Sequence, residues 1–320
     1  MDMFKYILKR IGLMLLTFFI IMTMCFVLVK LLPDPVTCQP GTDSCDAELV
    51  WREALGYNKP IMVQYWIFLV NVFTKFDWGV GFKMYWLKSV TSIMFQKLPP
   101  TMYVNFFAVI LSVPIGLIFG TFAALKKNKW EDQVISVGVM LIISIPSYVY
   151  CFILQYILCY KLGWFPLIVS SSTNYFTWEV FRTYMPAILC LSLGTIAGLT
   201  RYTRAELTEV LTSDFMLLAR AKGLTRGQAT VRHAFRNAMV PIFPMIIGEF
   251  IGILGGSLIV ENFFAIPGVG KMYLQSINVR DYNFFMFLSM FYVVIGLVAN
   301  LLVDLSYGFV DPRIRIGAKR

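Results

Sequence analysis

The chain has 320 residues, of which 58% are apolar, 16% aromatic and only 14% charged, and its formal net charge is +10. Soluble domains contain roughly 25% charged residues, so this composition excludes an ordinary soluble protein and indicates an integral membrane protein. The apolar residues form long unbroken runs, which predicts transmembrane helices and disfavours a β-barrel. In such a protein the positive charge is explained by loops that set topology, and no nucleic-acid partner is expected.

Six apolar runs are long enough to be membrane spans, because a helix needs about 20 apolar residues to cross the hydrocarbon core. They are Ile11–Leu32, Thr101–Leu125, Val134–Tyr160, Met185–Thr200, Pro241–Val260 and Phe284–Tyr307. The first run is too long for a signal peptide and no cleavage site follows it, so it is predicted to be retained. The fourth run is short, and its helix is expected to begin near Trp178 and to continue past Arg201.

The loop charges predict the topology. Six spans place both termini on one side, and the segments on that side hold 17 Lys and Arg residues against 10 on the other. Cytoplasmic loops carry the excess of Lys and Arg, so both termini are predicted to be cytoplasmic. We expect three parts: a first span with its exported loop (1–97), a core of five spans (98–310) and a cytoplasmic tail (311–320).

The exported loop after the first span, residues 33–100, is large. Its segment 61–81 is apolar but contains Lys75 and Asp77, which favours an amphipathic helix lying on membrane lipid. The alternative, a seventh span, would reverse the charge bias. Cys38 and Cys45 both fall in this loop, where a disulfide and two free thiols are equally acceptable interpretations.

The spans contain few charges and several closely spaced glycines. Glu249 is predicted to face a polar cavity or a subunit interface, because a carboxylate in the membrane interior is costly. Asp304 falls near the cytoplasmic end of the last span, where it faces water or the same kind of interface. Close helix packing is predicted at two glycine motifs: Gly116–Gly120 in the second span and Gly248–Gly252–Gly256 in the fifth.

The loop from residue 201 to 240 is basic and shows helix boundaries. Ser213 is a candidate N-cap, and Gly223 is a candidate residue just past the end of the same short helix. Thr225 and Gln228 have the spacing of a capping box that starts another helix. Pro241 is expected to open the fifth span.

The short helix in this loop carries apolar side chains beside basic ones. An exposed apolar group in the cytoplasm is a liability unless it enters a groove on another protein. The alternative is a helix lying on anionic headgroups. The candidate docking residues are Asp214, Phe215, Met216, Leu218, Ala219, Arg220, Lys222 and Gly223.

Four segments carry a family resemblance. They are "ARAKGLTRGQATVRHAFRNAMVPIFP", the start "YILKRIGLMLLTFFIIMTMCFVLVKLLPDP", "VENFFAIPGVGKMYLQSINVRDYN" and the end "LLVDLSYGFVDPRIR". Together they resemble permease subunits of bacterial ABC importers of the dipeptide, oligopeptide and nickel branch, in order along the whole chain. The broader importer pattern has Glu-Ala-Ala followed by Gly three residues later, whereas this chain has Ala219–Gly223 there.

The resemblance implies a type I ABC importer transmembrane architecture in the bacterial cell membrane. It implies a second homologous permease subunit, two ATP-binding subunits and an extracellular peptide-binding lipoprotein as partners. ATP and Mg would be bound by those partners, because "GVGK" at 268–271 lacks the spacing of a P-loop and this chain is not expected to be an enzyme. The short helix would be the coupling helix, and Phe263, Phe264 and Pro267 would contribute to an outer gate; a re-entrant turn with aromatic anchors is the alternative.

Three other functions differ from this one in the sequence features that they require. Import of nickel or another small solute stays open within the family, although no imidazole or thiolate cluster faces a predicted pore. An ion-coupled secondary transporter would favour internal repeats and ionisable clusters at mid-membrane. A membrane enzyme would need a nucleophile and base, and the single histidine, His233, lies in the cytoplasmic loop.

Overall fold

The computed structural model describes residues 3–32, 43–54, 56–170, 172 and 174–310. Their regular secondary structure is helical, which confirms the all-α prediction, with one isolated antiparallel bridge between Val80 and Ser89. The helices are α1 (Met3–Leu31), α2 (Asp43–Ala54), α3 (Ile61–Lys75), α4 (Val90–Leu125), α5 (Trp130–Ser144), α6 (Ser147–Gln155), α7 (Trp178–Leu211), α8 (Asp214–Ala221), α9 (Arg226–Ala229), α10 (Arg236–Gly252), α11 (Leu258–Phe263), α12 (Val269–Asn278) and α13 (Tyr282–Val310).

Long apolar helices confirm a multi-pass membrane protein. Among the described residues, five helices have the length and composition to cross a membrane, and a sixth crossing results if one bent pair counts as a span. The five are Lys5–Leu31, Val90–Leu125, Trp178–Leu211, Arg226–Gly252 and Tyr282–Gly308. The helix α3 has 15 residues and falls below that length, as expected for a helix that does not span.

The third predicted span is not one straight helix. The helices α5 and α6 meet at an angle of 103°. Pro146 lacks an N–H group and restricts the residue before it, so Ile145 is extended, with φ −84° and ψ 127°. The prediction of a single helix over Val134–Tyr160 was therefore wrong at its centre, and α6 continues as a π-helical segment, Tyr156–Lys161.

The fourth predicted span is confirmed as a longer helix. The helix α7 begins after Thr177, whose hydroxyl accepts the Val180 N–H, and it extends beyond Arg201 to Leu211. It packs against α5, α6, α10 and α11. This makes α7 the central helix of its part of the molecule.

The helices α4 and α7 approach closely at the predicted glycines. A Cβ on Gly116 would lie 2.7 Å from Leu199 Cβ, and one on Gly120 would lie 2.5 Å from Thr203 Cβ. The Thr200 hydroxyl donates to the Gly116 carbonyl at 3.3 Å. Small residues thus allow the two backbones to touch, as the second span's motif predicts.

The fifth predicted span has different bounds. The helix α9 continues through a π-helical segment, Thr230–Phe235, into α10, which ends at Gly252. Pro241 therefore lies inside a helix and does not open it. Gly256 lies outside α10 at φ +66°, so the predicted glycine face over Gly248–Gly252–Gly256 was wrong at its last position. A Cβ on Gly248 would meet only Val303 Cγ2, at 3.8 Å, and a Cβ on Gly252 would meet nothing within 4 Å.

The chain forms two compact units. One contains the described residues of 100–266 and 298–310, and the other contains the described residues of 3–99 and 267–297. The predicted parts, 1–97, 98–310 and 311–320, stay a prediction, and in the structure residues 267–297 group with the N-terminal residues. The reason is a set of contacts over long sequence distance, which span counting cannot detect.

Asp281 organises the unit that contains the N-terminal residues. Its Oδ2 accepts the backbone N–H groups of Phe82, Lys83 and Met84 at 3.0, 2.9 and 2.8 Å. Burial raises the pKa of Asp281, and the backbone N–H groups act in the opposite direction. Three donors on one carboxylate oxygen hold the loop after α3 against the start of α13.

Only one cysteine of the predicted pair Cys38–Cys45 lies within the described residues. Cys45 is buried in α2, and Cys38 lies outside the described residues. Their pairing therefore stays a prediction. A disulfide joins Cys151 of α6 to Cys190 of α7, two residues that the sequence placed in separate spans without pairing them.

Gly120→Ala tests the contact between α4 and α7. The new methyl would overlap Thr203 and the Thr200 carbonyl, so the helices must separate. We expect overpacking to lower the free energy of unfolding by about 1–3 kcal/mol, measured by thermal unfolding in detergent. Gly138→Ala in α5 is the control, because its Cβ would meet nothing within 4 Å. Equal stability of the two variants would contradict this packing.

Candidate functional site

The basic loop begins as an extension of α7. Only Thr212 and Ser213 separate Leu211, the last residue of α7, from the first residue of α8. Ser213 occupies the N-cap position with extended backbone, as predicted, but its hydroxyl donates to the Val210 carbonyl at 2.5 Å and does not cap α8. This short connection makes α8 follow the end of α7.

The end of α8 is fixed by Gly223. Its φ is +89°, a left-handed value that favours glycine. Its N–H donates to the Arg220 carbonyl at 3.0 Å, and the Leu224 N–H donates to the Ala219 carbonyl at 3.3 Å. These two bonds are a Schellman motif, which confirms the predicted helix end.

The next helix starts with the predicted capping box. The Thr225 hydroxyl accepts the Gln228 N–H at 3.3 Å, and the Gln228 side chain accepts the Thr225 N–H at 3.1 Å. The Gly223–Thr225 connection therefore has a helix end on one side and a helix start on the other. Both ends have their backbone groups satisfied locally.

One face of α8 is buried within the chain. Met216 and Ala219 are 4% and 9% exposed and belong to an apolar cluster. The prediction that they lie on the exposed docking face was wrong, because the helix must bury one side against its own unit. The cluster consists of Ala124, Leu207, Met216, Ala219, Ala229, Ala234 and Ala238, with half-buried Val210, Leu211 and Leu224 around it.

The opposite face of α8 is open and apolar. Phe215, Leu217 and Leu218 are 39%, 63% and 57% exposed. Leu217 was not predicted, and it is exposed because it points away from the side of the helix that carries Met216 and Ala219. The remaining candidates are also exposed: Asp214, Arg220, Lys222 and Gly223.

An ion pair joins α5 to α7 near this loop. The Arg204 Nε–H donates a hydrogen bond to Asp132 Oδ1 at 2.5 Å, and the terminal Nη2–H donates to Oδ2 at 2.8 Å. Oδ2 also accepts the Asn128 N–H at 2.9 Å. The Asp132 side chain is 3% exposed and that of Arg204 33%. Neither residue was predicted, because the third span was taken to begin at Val134. The available signal was a pair of opposite charges at the start of the third span and the end of the fourth.

Glu249 lies near the end of α10, three residues before Gly252. Its Oε2 accepts the Thr195 hydroxyl at 3.3 Å, and the side chain is half-buried. Open space surrounds the Cβ positions of Gly198 on α7 and Gly252 on α10. Asp304 is also half-buried, six residues before the end of α13.

The three predicted gate residues have different environments. Phe264 is 3% exposed and lies in the apolar core around Tyr184, so it does not line a surface. Phe263 is half-buried, and its ring centroid lies 5.3 Å from that of Phe264. Pro267 belongs to the other unit, where it lines a small cavity with Tyr85.

Family models match nearly the whole chain. Residues 116–316 match the binding-protein-dependent transport system inner membrane component, and residues 3–104 match the N-terminal model of the same membrane component. The chain belongs to this family. It is a membrane-spanning permease subunit of a binding-protein-dependent ABC importer.

Curated relatives cover this permease from end to end. The dipeptide transport system permease protein DppB of Lactococcus lactis is 36% identical over 98% of this chain and 100% of its own length. DppB of Bacillus subtilis is 34% identical over 99% of this chain and 100% of its own length. The glutathione transport system permease protein GsiC of Escherichia coli K12 is 30% identical over 98% and 99%.

A solved structure shares the permease fold. It is described as the crystal structure of an amino acid ABC transporter with histidines, and one of its chains aligns with a TM-score of 0.51 at 22% identity. The match covers 67% of this permease and 92% of that chain. At this identity the likeness concerns the fold.

Gly223→Ala tests the end of α8. Alanine at φ +89° is strained, so the Schellman motif should weaken by about 1 kcal/mol and α8 should open more often. We expect faster hydrogen exchange of the α8 amides by mass spectrometry. Gly227→Ala is the matched control, since its Cβ also meets nothing within 4 Å but it lies inside α9. Unchanged exchange in Gly223→Ala would contradict the assignment.

Proposed function

We propose that this permease forms half of the translocation path of an ABC importer for short peptides. A second homologous permease forms the other half, two ATP-binding subunits supply hydrolysis, and an extracellular peptide-binding lipoprotein delivers the substrate. The supporting observation is the exposed apolar face of α8, which consists of Phe215, Leu217 and Leu218. The other face of the same helix is buried and packs against the rest of the unit. Such a face fits a groove on a partner.

The docking surface is the open side of α8. Leu217 and Leu218 provide its apolar centre, and Arg220 and Lys222 add positive charge at its C-terminal end. Asp214, in the first turn of α8, adds a favourable charge at the helix N-terminus. ATP and Mg bind to the ATP-binding subunits in this proposal, and the permease itself catalyses nothing.

The peptide substrate is supported by the relatives. Permeases named for dipeptides in two organisms align over the full chain, and glutathione, named for a third, is itself a short peptide. Glu249, half-buried beside Thr195, fits the lining of a polar path or the contact with the second permease. Asp304 is proposed for that same contact, and Phe263 for the outer gate.

The proposed orientation follows the loop charges. Both termini and the loop with α8 face the cytoplasm, and the loop between α1 and α4 faces outward, with α3 lying on lipid. This orientation places the open face of α8 on the side where ATP is available. Nickel or another small solute is the second candidate substrate for the same machinery.

Leu218→Asp tests the docking surface. A buried, unpaired carboxylate in the groove is costly, so we expect at least a roughly tenfold loss of co-purified ATP-binding subunit. The measurement is affinity purification of the permease in mild detergent, with normal membrane insertion as a prerequisite. Lys127→Asp, in the exposed loop between α4 and α5, is the control for an added negative charge. Full recovery of the ATP-binding subunit with Leu218→Asp would contradict the docking proposal.

Uptake by the reconstituted importer tests the substrate. Proteoliposomes with the complete complex should accumulate labelled dipeptides and tripeptides when ATP is enclosed with the ATP-binding subunits. Nickel ions and free amino acids are the comparison substrates in the same vesicles. Accumulation of nickel without competition by peptides would reject the peptide proposal and favour the second candidate.

A further inference from the structure

Two specific bonds join the bent span formed by α5 and α6 to α7, in addition to the packing of both halves against that helix. The disulfide between Cys151 and Cys190 attaches α6, and the ion pair between Asp132 and Arg204 attaches α5. The two points on α7 are 14 residues apart, which corresponds to about 21 Å along a helix. Because the span bends by 103° between its halves, each of the two bonds fixes a different half to α7.

The apolar packing around α8 does not include the bent span. Its cluster joins α8 to the ends of α4, α7, α9 and α10, through residues such as Ala124, Leu207 and Ala238. Among the described residues of this cluster, none belongs to α5 or α6. A displacement of α8 therefore moves those four helix ends through apolar contacts. The start of α5 lies outside this cluster, and near the loop it is tied to α7 by the ion pair in addition to helix packing.

The geometry of the pair suits a mechanical joint. Two parallel hydrogen bonds fix the guanidinium plane relative to the carboxylate, so the contact resists rotation as well as separation. Asp132 also accepts a hydrogen bond from the backbone N–H of Asn128, whose φ is +66°. This bond fixes the turn that precedes α5. Arg204 lies about two turns before Leu211, close to the start of the connection to α8.

We infer that the Asp132–Arg204 ion pair is the joint through which a displacement of α8 reaches the bent span, so that α5 moves together with α7. This inference rests on the proposed function, in which α8 receives its displacement from an ATP-binding subunit. Asp132 and Arg204 are positioning residues in this account. They contact neither substrate nor nucleotide.

The test uses the complete importer in proteoliposomes and measures labelled dipeptide uptake and phosphate release in the same vesicles. In Asp132→Asn and Arg204→Gln we expect ATP hydrolysis within about twofold of the original complex and uptake per ATP lower by roughly tenfold. The reversed pair, Asp132→Arg with Arg204→Asp, should recover most of the uptake per ATP. A residue with only a structural role would lower uptake and hydrolysis in proportion.

Glu131→Gln is the matched control. Glu131 is the neighbour of Asp132 and pairs with Lys126 at 3.2 Å on a more exposed surface, so its loss should leave uptake per ATP unchanged. Arg204→Lys keeps the charge but loses the two-point contact, and it serves if the neutral variants do not assemble. We expect it to assemble and to show an intermediate uptake per ATP.

Two results would overturn the inference. One is a proportional fall of uptake and hydrolysis in both single variants and in Arg204→Lys. The other is an uptake per ATP in all of them equal to that of Glu131→Gln. Failure of the proposed function would look different, because the unmodified complex would then show no ATP-driven uptake or would contain no ATP-binding subunit.

Discussion

The structure of the unit that carries α8 depends on close packing around α7. Gly116 and Gly120 let α4 approach its backbone, and α5, α6, α10 and α11 pack on its other sides. A membrane interior gives no hydrophobic reason for helices to associate, so small residues, hydrogen bonds and the ion pair hold these neighbours in place. Because α7 is continuous from Trp178 to Leu211, it connects the opposite end of this unit with the basic loop.

The basic loop gains its function from having two unlike faces on one short helix. Met216 and Ala219 attach α8 to the unit, and Leu217 and Leu218 stay exposed on its other side, where we propose that a partner binds. Schellman and capping-box hydrogen bonds fix both ends of the connection at Gly223–Thr225. In the proposed function, a helix held in this way passes a displacement from an ATP-binding subunit on to the rest of its unit.

Local signals predicted several helix boundaries, whereas the bounds of the third and fifth spans and all long-range contacts were not predicted. The extension of α7, the glycine contact at Gly120 and the end of α8 at Gly223 follow from composition and capping rules. Pro146 is a signal of a helix break, but it lies within a long apolar run that was interpreted as one span. Three features depend on residues that are distant in sequence: the burial of Met216, the disulfide between Cys151 and Cys190, and the ion pair between Asp132 and Arg204. No local pattern specifies which partners meet.

The most direct test of the central claim is a cryo-electron microscopy structure of the assembled importer with and without a bound ATP analogue. The account predicts that Leu217 and Leu218 lie in a groove of an ATP-binding subunit in both states. It also predicts that α8, the cytoplasmic end of α7 and the start of α5 shift together between them. An α8 whose open face lies on lipid, or an α5 that stays fixed while α7 moves, would contradict it.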